Sequence, residues 1–167
     1  MKMRMRNKQY WFLNLVLIFS GSLSFGESFL GVSFGSPTLV GIRGAYHWNE
    51  TPWSLQAEYS KQTLHRNRSN GLLSILRLDA QWEYLDIENG IVPFYFAGFD
   101  HFSGYPNKTS NSISLLACEF GGGLKLEISE RWKFTSEFGF IIPTQFVKGF
   151  EVMGLAINLS ILFRVGP

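Results

Sequence analysis

The stretch that decides the fold is Leu155-Ala156-Ile157-Asn158-Leu159-Ser160-Ile161-Leu162-Phe163-Arg164-Val165. Its apolar residues Leu155, Ile157, Leu159, Ile161, Phe163 and Val165 fall on every second position. Ala156, Asn158, Ser160 and Arg164 alternate with them, and only Leu162 is large and apolar on the second phase. Successive side chains of a strand point to opposite faces, so a period of two marks a β-strand with one apolar and one small, polar face.

The same pattern recurs back along the chain. Trp132, Phe134, Phe138, Phe140 and Ile142 alternate with Lys133, Thr135, Glu137 and Gly139. Phe120, Leu124, Leu126 and Ile128 alternate with Glu119, Gly121, Gly123, Lys125 and Glu127. Leu76, Leu78, Ala80, Trp82 and Tyr84 interleave with Arg77, Asp79, Gln81 and Glu83. Two further segments follow suit: Trp53, Leu55, Ala57 and Tyr59 against Ser54, Gln56, Glu58 and Ser60, and Val40, Ile42, Tyr46 and Trp48 against Gly41, Arg43, Ala45 and His47. Phe29 to Gly35 reads as a first strand with Leu30, Val32 and Phe34 in phase. Ile91 to Phe99 is rich in strand formers, but Phe94 and Phe96 compete with Tyr95 and Phe99 for one face. No helical period of useful length occurs after residue 27, so the expected fold is all-β with eight strands.

Turn residues separate these segments. The links are Gly35-Ser36-Pro37, Asn49-Glu50-Thr51-Pro52, a polar stretch from Lys61 to Gly71, Asp86 to Gly90, Gly104 to Ser112, Ser129 to Arg131, and Pro143 to Gly149. Links two, four and six are compact. Links three and five are long, and link one is the short exception. Short turns on one side and longer loops on the other are the pattern of outer-membrane barrels.

The N-terminal stretch is read as a leader. Lys2, Arg4, Arg6 and Lys8 precede an apolar run from Trp11 to Phe19, broken only by Asn14. Gly21, Ser22, Ser24 and Gly26 follow. Basic, apolar and small-residue regions in that order describe a secretory signal peptide, here expected over residues 1–26 with the cut after Gly26. The alternative, an uncleaved anchor, needs roughly 20 apolar residues, more than the run provides. No Cys lies near the cut for lipid attachment. The chain has 15 Lys and Arg and 13 acidic residues; four of the basic residues are in the leader and all the acidic ones follow it, so residues 27–167 carry about −2. The basic balance of the whole chain belongs to targeting and does not argue for nucleic acid as a partner. A single cysteine, Cys118, excludes an intramolecular disulfide framework.

Alternation alone does not distinguish inside from outside. A soluble exported barrel, periplasmic or secreted, would turn the apolar phase inward. Three features favour an apolar phase facing lipid. The polar phase is crowded with Gly, Ala and Ser, which suit the narrow interior of eight strands. Trp48, Trp53, Trp82, Tyr84 and Trp132 sit on the apolar phase near links two, four and six, as a rim girdle requires. The charges Arg43, Arg77, Lys125, Lys133 and Arg164 are nearly balanced by Glu58, Asp79, Glu83, Glu119, Glu127 and Glu137, so they can neutralise one another inside a lumen. The expected architecture is an eight-stranded antiparallel up-and-down transmembrane β-barrel over residues 27–167, with Arg43, Arg77 and Arg164 paired to Glu58, Asp79, Glu83 or Glu137. In hydrocarbon every backbone N–H and C=O needs a partner, which only closure of the sheet provides.

On this architecture the sequence resembles the small eight-stranded bacterial outer-membrane barrels of the OmpA and OmpX kind. The resemblance covers residues 27–167 and rests on leader, strands, charged interior and aromatic rim. The family commonly ends on a terminal aromatic, whereas here Phe163 is followed by Arg164-Val165-Gly166-Pro167. The resemblance implies an outer-membrane location and a non-enzymatic, structural or surface-interaction role. It implies a monomer, a lumen blocked by side chains, and membrane lipid and lipopolysaccharide as surroundings. Nothing in the residues specifies an extracellular partner.

Other short stretches admit other chemistries. His101-Phe102-Ser103 is similar to the His-x-Ser element of outer-membrane lipid A deacylases, which would make Ser103 the nucleophile, His101 its base and Glu119 the orienting carboxylate. Those enzymes carry Asn after the Ser, where Gly104 stands here, and their pair lies nearer the C-terminus. A narrow pore is a further alternative, though eight strands enclose a filled interior. His47, His65 and His101 fall on separate segments, which gives no convergent metal ligand set. Gly121-Gly122-Gly123 precedes no helix and lacks the Lys-Ser/Thr of a phosphate loop, so no cofactor is implied. His65, Arg66 and Arg68 form a basic cluster in the third link, suited to lipopolysaccharide phosphates or to solvent.

Overall fold

The computed structural model describes residues 26–36, 39–66, 69–84, 90–105, 112–145 and 154–165, with the side chains of 63–70 undescribed. Apart from Gly26, the expected leader lies outside these residues. The chain forms eight strands: β1 (Gly26–Ser36), β2 (Val40–Trp48), β3 (Trp53–Arg66), β4 (Ser69–Glu83), β5 (Ile91–Tyr105), β6 (Ile113–Glu127), β7 (Trp132–Pro143) and β8 (Gly154–Arg164). Each pairs antiparallel with its neighbour in sequence, and β1 pairs with β8 to close the barrel. At that seam Val32 stands opposite Ile161 and Leu30 opposite Phe163, which aligns the apolar phases of the first and last strands.

Apolar side chains cover the outside. Ile42, Tyr59, Leu76, Leu78, Phe99, Phe120, Phe138 and Ile157 are all exposed. The other phase is packed within: Arg43, Ser33, Gln81 and Thr135 are completely buried. This is the reverse of a soluble barrel, whose apolar phase fills the interior.

Two sequence expectations are amended. The face of β5 is settled by its partners. Phe94, Phe96 and Phe102 point inward, while Tyr95 and Phe99 point outward. The inward rings need space, and glycines across the sheet leave it: a Cβ on Gly121 or Gly139 would stand 2.8 or 2.9 Å from Phe96 Cζ. The third link is not a long loop. β3 and β4 stay paired from Trp53–Trp82 out to Arg66–Ser69, leaving residues 67–68 as the connection. Pairing satisfies the backbone of this polar stretch without requiring an apolar face. The four strands β3 to β6 have 14 or 15 residues, against 9 in β2 and 11 in β1 and β8, so one side of the barrel stands taller at the end away from the termini.

Candidate functional site

The interior is arranged in layers because inward positions recur every second residue on eight staggered strands. Nearest the termini, Phe29, Ala45 and Leu162 pack together. Lys133 caps them, its Nζ 4.4 Å from the Phe29 ring centroid and 2.9 Å from Glu127 Oε1. Arg164 Nη1 meets Glu27 Oε1 at 3.0 Å, a partner absent from the sequence-based pairing. One step further in, Lys125 pairs closely with Glu83, which also accepts a hydrogen bond from Ser54 Oγ at 3.3 Å and faces His47 Nδ1 at 3.4 Å.

The middle layer holds the strongest network. Arg43 donates from Nε and Nη2 to Glu58 Oε2 at 2.9 and 2.6 Å. It also donates from Nη1 and Nη2 to the two carboxylate oxygens of Glu137, at 2.6 and 2.9 Å. Arg77 contacts the same Glu137 at 3.1 Å, Glu119 at 3.0 Å, and Asp79. Gln81 Nε2 donates to Glu137 Oε1 at 3.2 Å and Asn158 Nδ2 to Glu58 Oε2 at 3.1 Å. Phe96 lies beneath Arg77, 4.9 Å from its guanidinium carbon. Asp100 is buried in the same layer. Sequence reasoning missed it, although it shares the phase of Phe94, Phe96 and Phe102. Two guanidinium groups thus face five carboxylates: Glu58, Asp79, Asp100, Glu119 and Glu137.

Above this layer the lumen turns apolar. Leu73, Ile75, Phe102, Leu115, Ala117, Ile141 and Ala156 form one buried cluster, with Ile113 packed against it. Charge and hydrocarbon together fill the bore at successive heights.

The rim aromatics stand at the end that carries the termini. Trp53 is opposite Trp82 across β3–β4, and Trp82 stacks on Tyr95 at 6.4 Å with 19° between planes. Trp82 meets Tyr84 edge-on at 5.3 Å, Trp48 meets Tyr46 edge-on at 5.0 Å, and Trp132 packs on Phe163 at 4.9 Å.

The candidate hydrolase residues are not brought together. His101 and Ser103 lie on the outward phase of β5, while Glu119 is buried in the lumen. The hydrogen-bond partner of His101 Nε2 is Ser114 Oγ, at 2.9 Å on β6. The sheet lies between the outward His101 and Ser103 and the inward Glu119, so this structure shows no contact of Glu119 with His101. Cys118 is half-buried on the outward phase. Among the described residues no group of three or more His, Cys, Asp or Glu is arranged to hold a metal ion. The side chains of His65, Arg66 and Arg68 fall outside the described ones.

No described protein family and no curated protein matches the sequence. Solved structures do match in shape. Neisserial surface protein A is similar over 84% of this chain and 93% of its own, with a TM-score of 0.54 and 10% identity. Ail, the attachment invasion locus protein of Yersinia pestis, is similar over 84% of this chain and 99% of its own, with a TM-score of 0.53 and 12% identity. With eight antiparallel strands closed in chain order, the chain has the fold of the small eight-stranded outer-membrane β-barrels.

Proposed function

We propose that this protein is an outer-membrane β-barrel with a non-enzymatic, structural or surface-interaction role, its termini on the periplasmic side and the tall edge of β3–β6 facing outward from the cell. The observation that carries this reading is the inversion of polarity: a closed sheet with an apolar exterior and an ion-paired interior. Such an exterior is stable only in lipid, where closure satisfies every strand hydrogen bond. The aromatic rim at the end that carries the termini supports the orientation, as does the extra length of β3–β6 at the other end. The filled bore supports a scaffold rather than a channel. The outward placement of Ser103 and His101, away from Glu119, gives the hydrolase reading no support.

The test is gel mobility of the alkaline-washed membrane fraction, heated against unheated in SDS. Retention in the membrane with a heat-dependent shift is expected. Release into the soluble fraction, with no shift, would overturn the reading.

A further inference from the structure

Among the described side chains, the outward phase of the strands is nearly free of charge. Glu27, Glu58, Asp79, Glu83, Asp100, Glu119 and Glu127 all lie on the inward phase, as do Arg43, Arg77, Lys125, Lys133 and Arg164. Among the described side chains of the strands, Lys61 is the one formal charge that points out, and no carboxylate pairs with it. Its ammonium lies 5.9 Å from the Tyr59 ring centroid.

Lys61 does not stand alone. It is directly opposite Ser74 on β4, Ser74 is opposite Ser103 on β5, and Ser103 is opposite Ser114 on β6. These four residues form one polar row across four adjacent strands. His101 joins it through its bond to Ser114. Below the row the same strands present Tyr59, Leu76, Phe99 and Leu116.

The height of the row follows from the register. Trp53, Trp82 and Tyr95 make the rim row at the other end, and each is eight positions along its strand from Lys61, Ser74 and Ser103 respectively. Eight residues at ~3.4 Å each span ~27 Å of strand. A tilt of ~35–45° leaves ~19–22 Å of height, close to the ~25 Å apolar band of an outer-membrane barrel. The polar row therefore falls where hydrocarbon gives way to headgroups on the outer side. Among the described side chains, hydroxyl donors and one cation at that level, with no carboxylate beside them, match an anion that carries its own acyl chains.

Resting on the membrane reading above, we propose that the row Lys61–Ser74–Ser103–Ser114, with His101, is a binding ledge for the phosphate of an outer-leaflet lipid headgroup. Lys61 supplies the charge, its stem running along Tyr59 as its ammonium reaches the headgroup level. The serine hydroxyls donate to phosphate oxygens, and the acyl chains lie on the apolar face below.

The full chain is released in mild detergent and incubated with bis-phosphorylated lipid A, with its dephosphorylated form, or with the phosphorylated form plus millimolar inorganic phosphate; retained lipid is counted by native mass spectrometry. Preferential retention of the phosphorylated lipid is expected, undisturbed by inorganic phosphate. Lys61→Gln should lower that retention about fivefold, the weight of one basic residue at an anionic lipid surface, with Lys61→Arg restoring it. Equal retention of both lipids, no effect of Lys61→Gln in a chain that keeps its heat-dependent gel shift, or displacement by inorganic phosphate would each overturn the ledge while leaving the barrel reading intact. Loss of membrane retention and gel shift in the unsubstituted chain would overturn both.

Discussion

Single residues of the interior differ sharply in what they hold. Arg43 is completely buried and binds two carboxylates with both edges of its guanidinium. Replacing it by Met strands Glu58 and Glu137 without a cation, a change that costs about 3–5 kcal/mol; urea unfolding in detergent should show a lowered midpoint of that size. Asp100 is the opposite case, because it adds a fifth carboxylate to a layer with two guanidinium groups. Asp100→Asn removes like-charge repulsion and keeps the shape, so its unfolding midpoint should be unchanged or raised. A large loss in that variant would show that Asp100 is needed as a charge. Arg43, Glu58 and Glu137 were legible in the sequence, since each falls on a polar phase; Asp100 was not, because aromatic residues on both phases of β5 hide its face. Their partners were not, because a strand pattern records which face a residue takes and not which distant strand it meets. Arg43 and Glu137 are 94 residues apart.

At the scale of the strand, the outward phase makes the environment testable. Leu78 lies on β4 midway between the rim row and the polar row, and is exposed. In a lipid-facing position Leu78→Arg should destabilise by about 2–4 kcal/mol, whereas on a water-facing sheet it would be harmless. Gly121 tests the other face. Gly121→Val drives methyl groups into Phe96 and the Phe138 carbonyl, an overpacking that costs about 1–3 kcal/mol; less of the chain should then reach the heat-shifted form. Seven strands announce their faces by alternation. β5 does not, since aromatic residues occupy both of its phases. What resolves it is the run of glycines on β6 and β7, which is non-local in sequence. The extension of β3 and β4 through Lys61–Gly71 is hidden for a related reason: backbone pairing needs no apolar signature.

For the molecule as a whole, the stacked fillings of the bore predict electrical silence. Planar bilayers containing the purified protein should show no stable single-channel steps, because the charged layer and the apolar cluster around Phe102 each occupy the bore. Steady conductance would mean that both layers move aside together. The network also has a bearing on how the barrel is made. Arg43 on β2 meets Glu137 on β7, and Glu58 on β3 meets Asn158 on β8. Neither contact exists until nearly the whole chain has been threaded into place. A half-assembled sheet of β1–β4 can pair Arg43 with Glu58 and Arg77 with Asp79, but leaves both guanidinium groups without Glu137. The last strand thus does more than seal an edge: Asn158 adds a neutral donor to a network whose charges β7 has already matched, and Arg164 closes the rim onto Glu27 of the first strand.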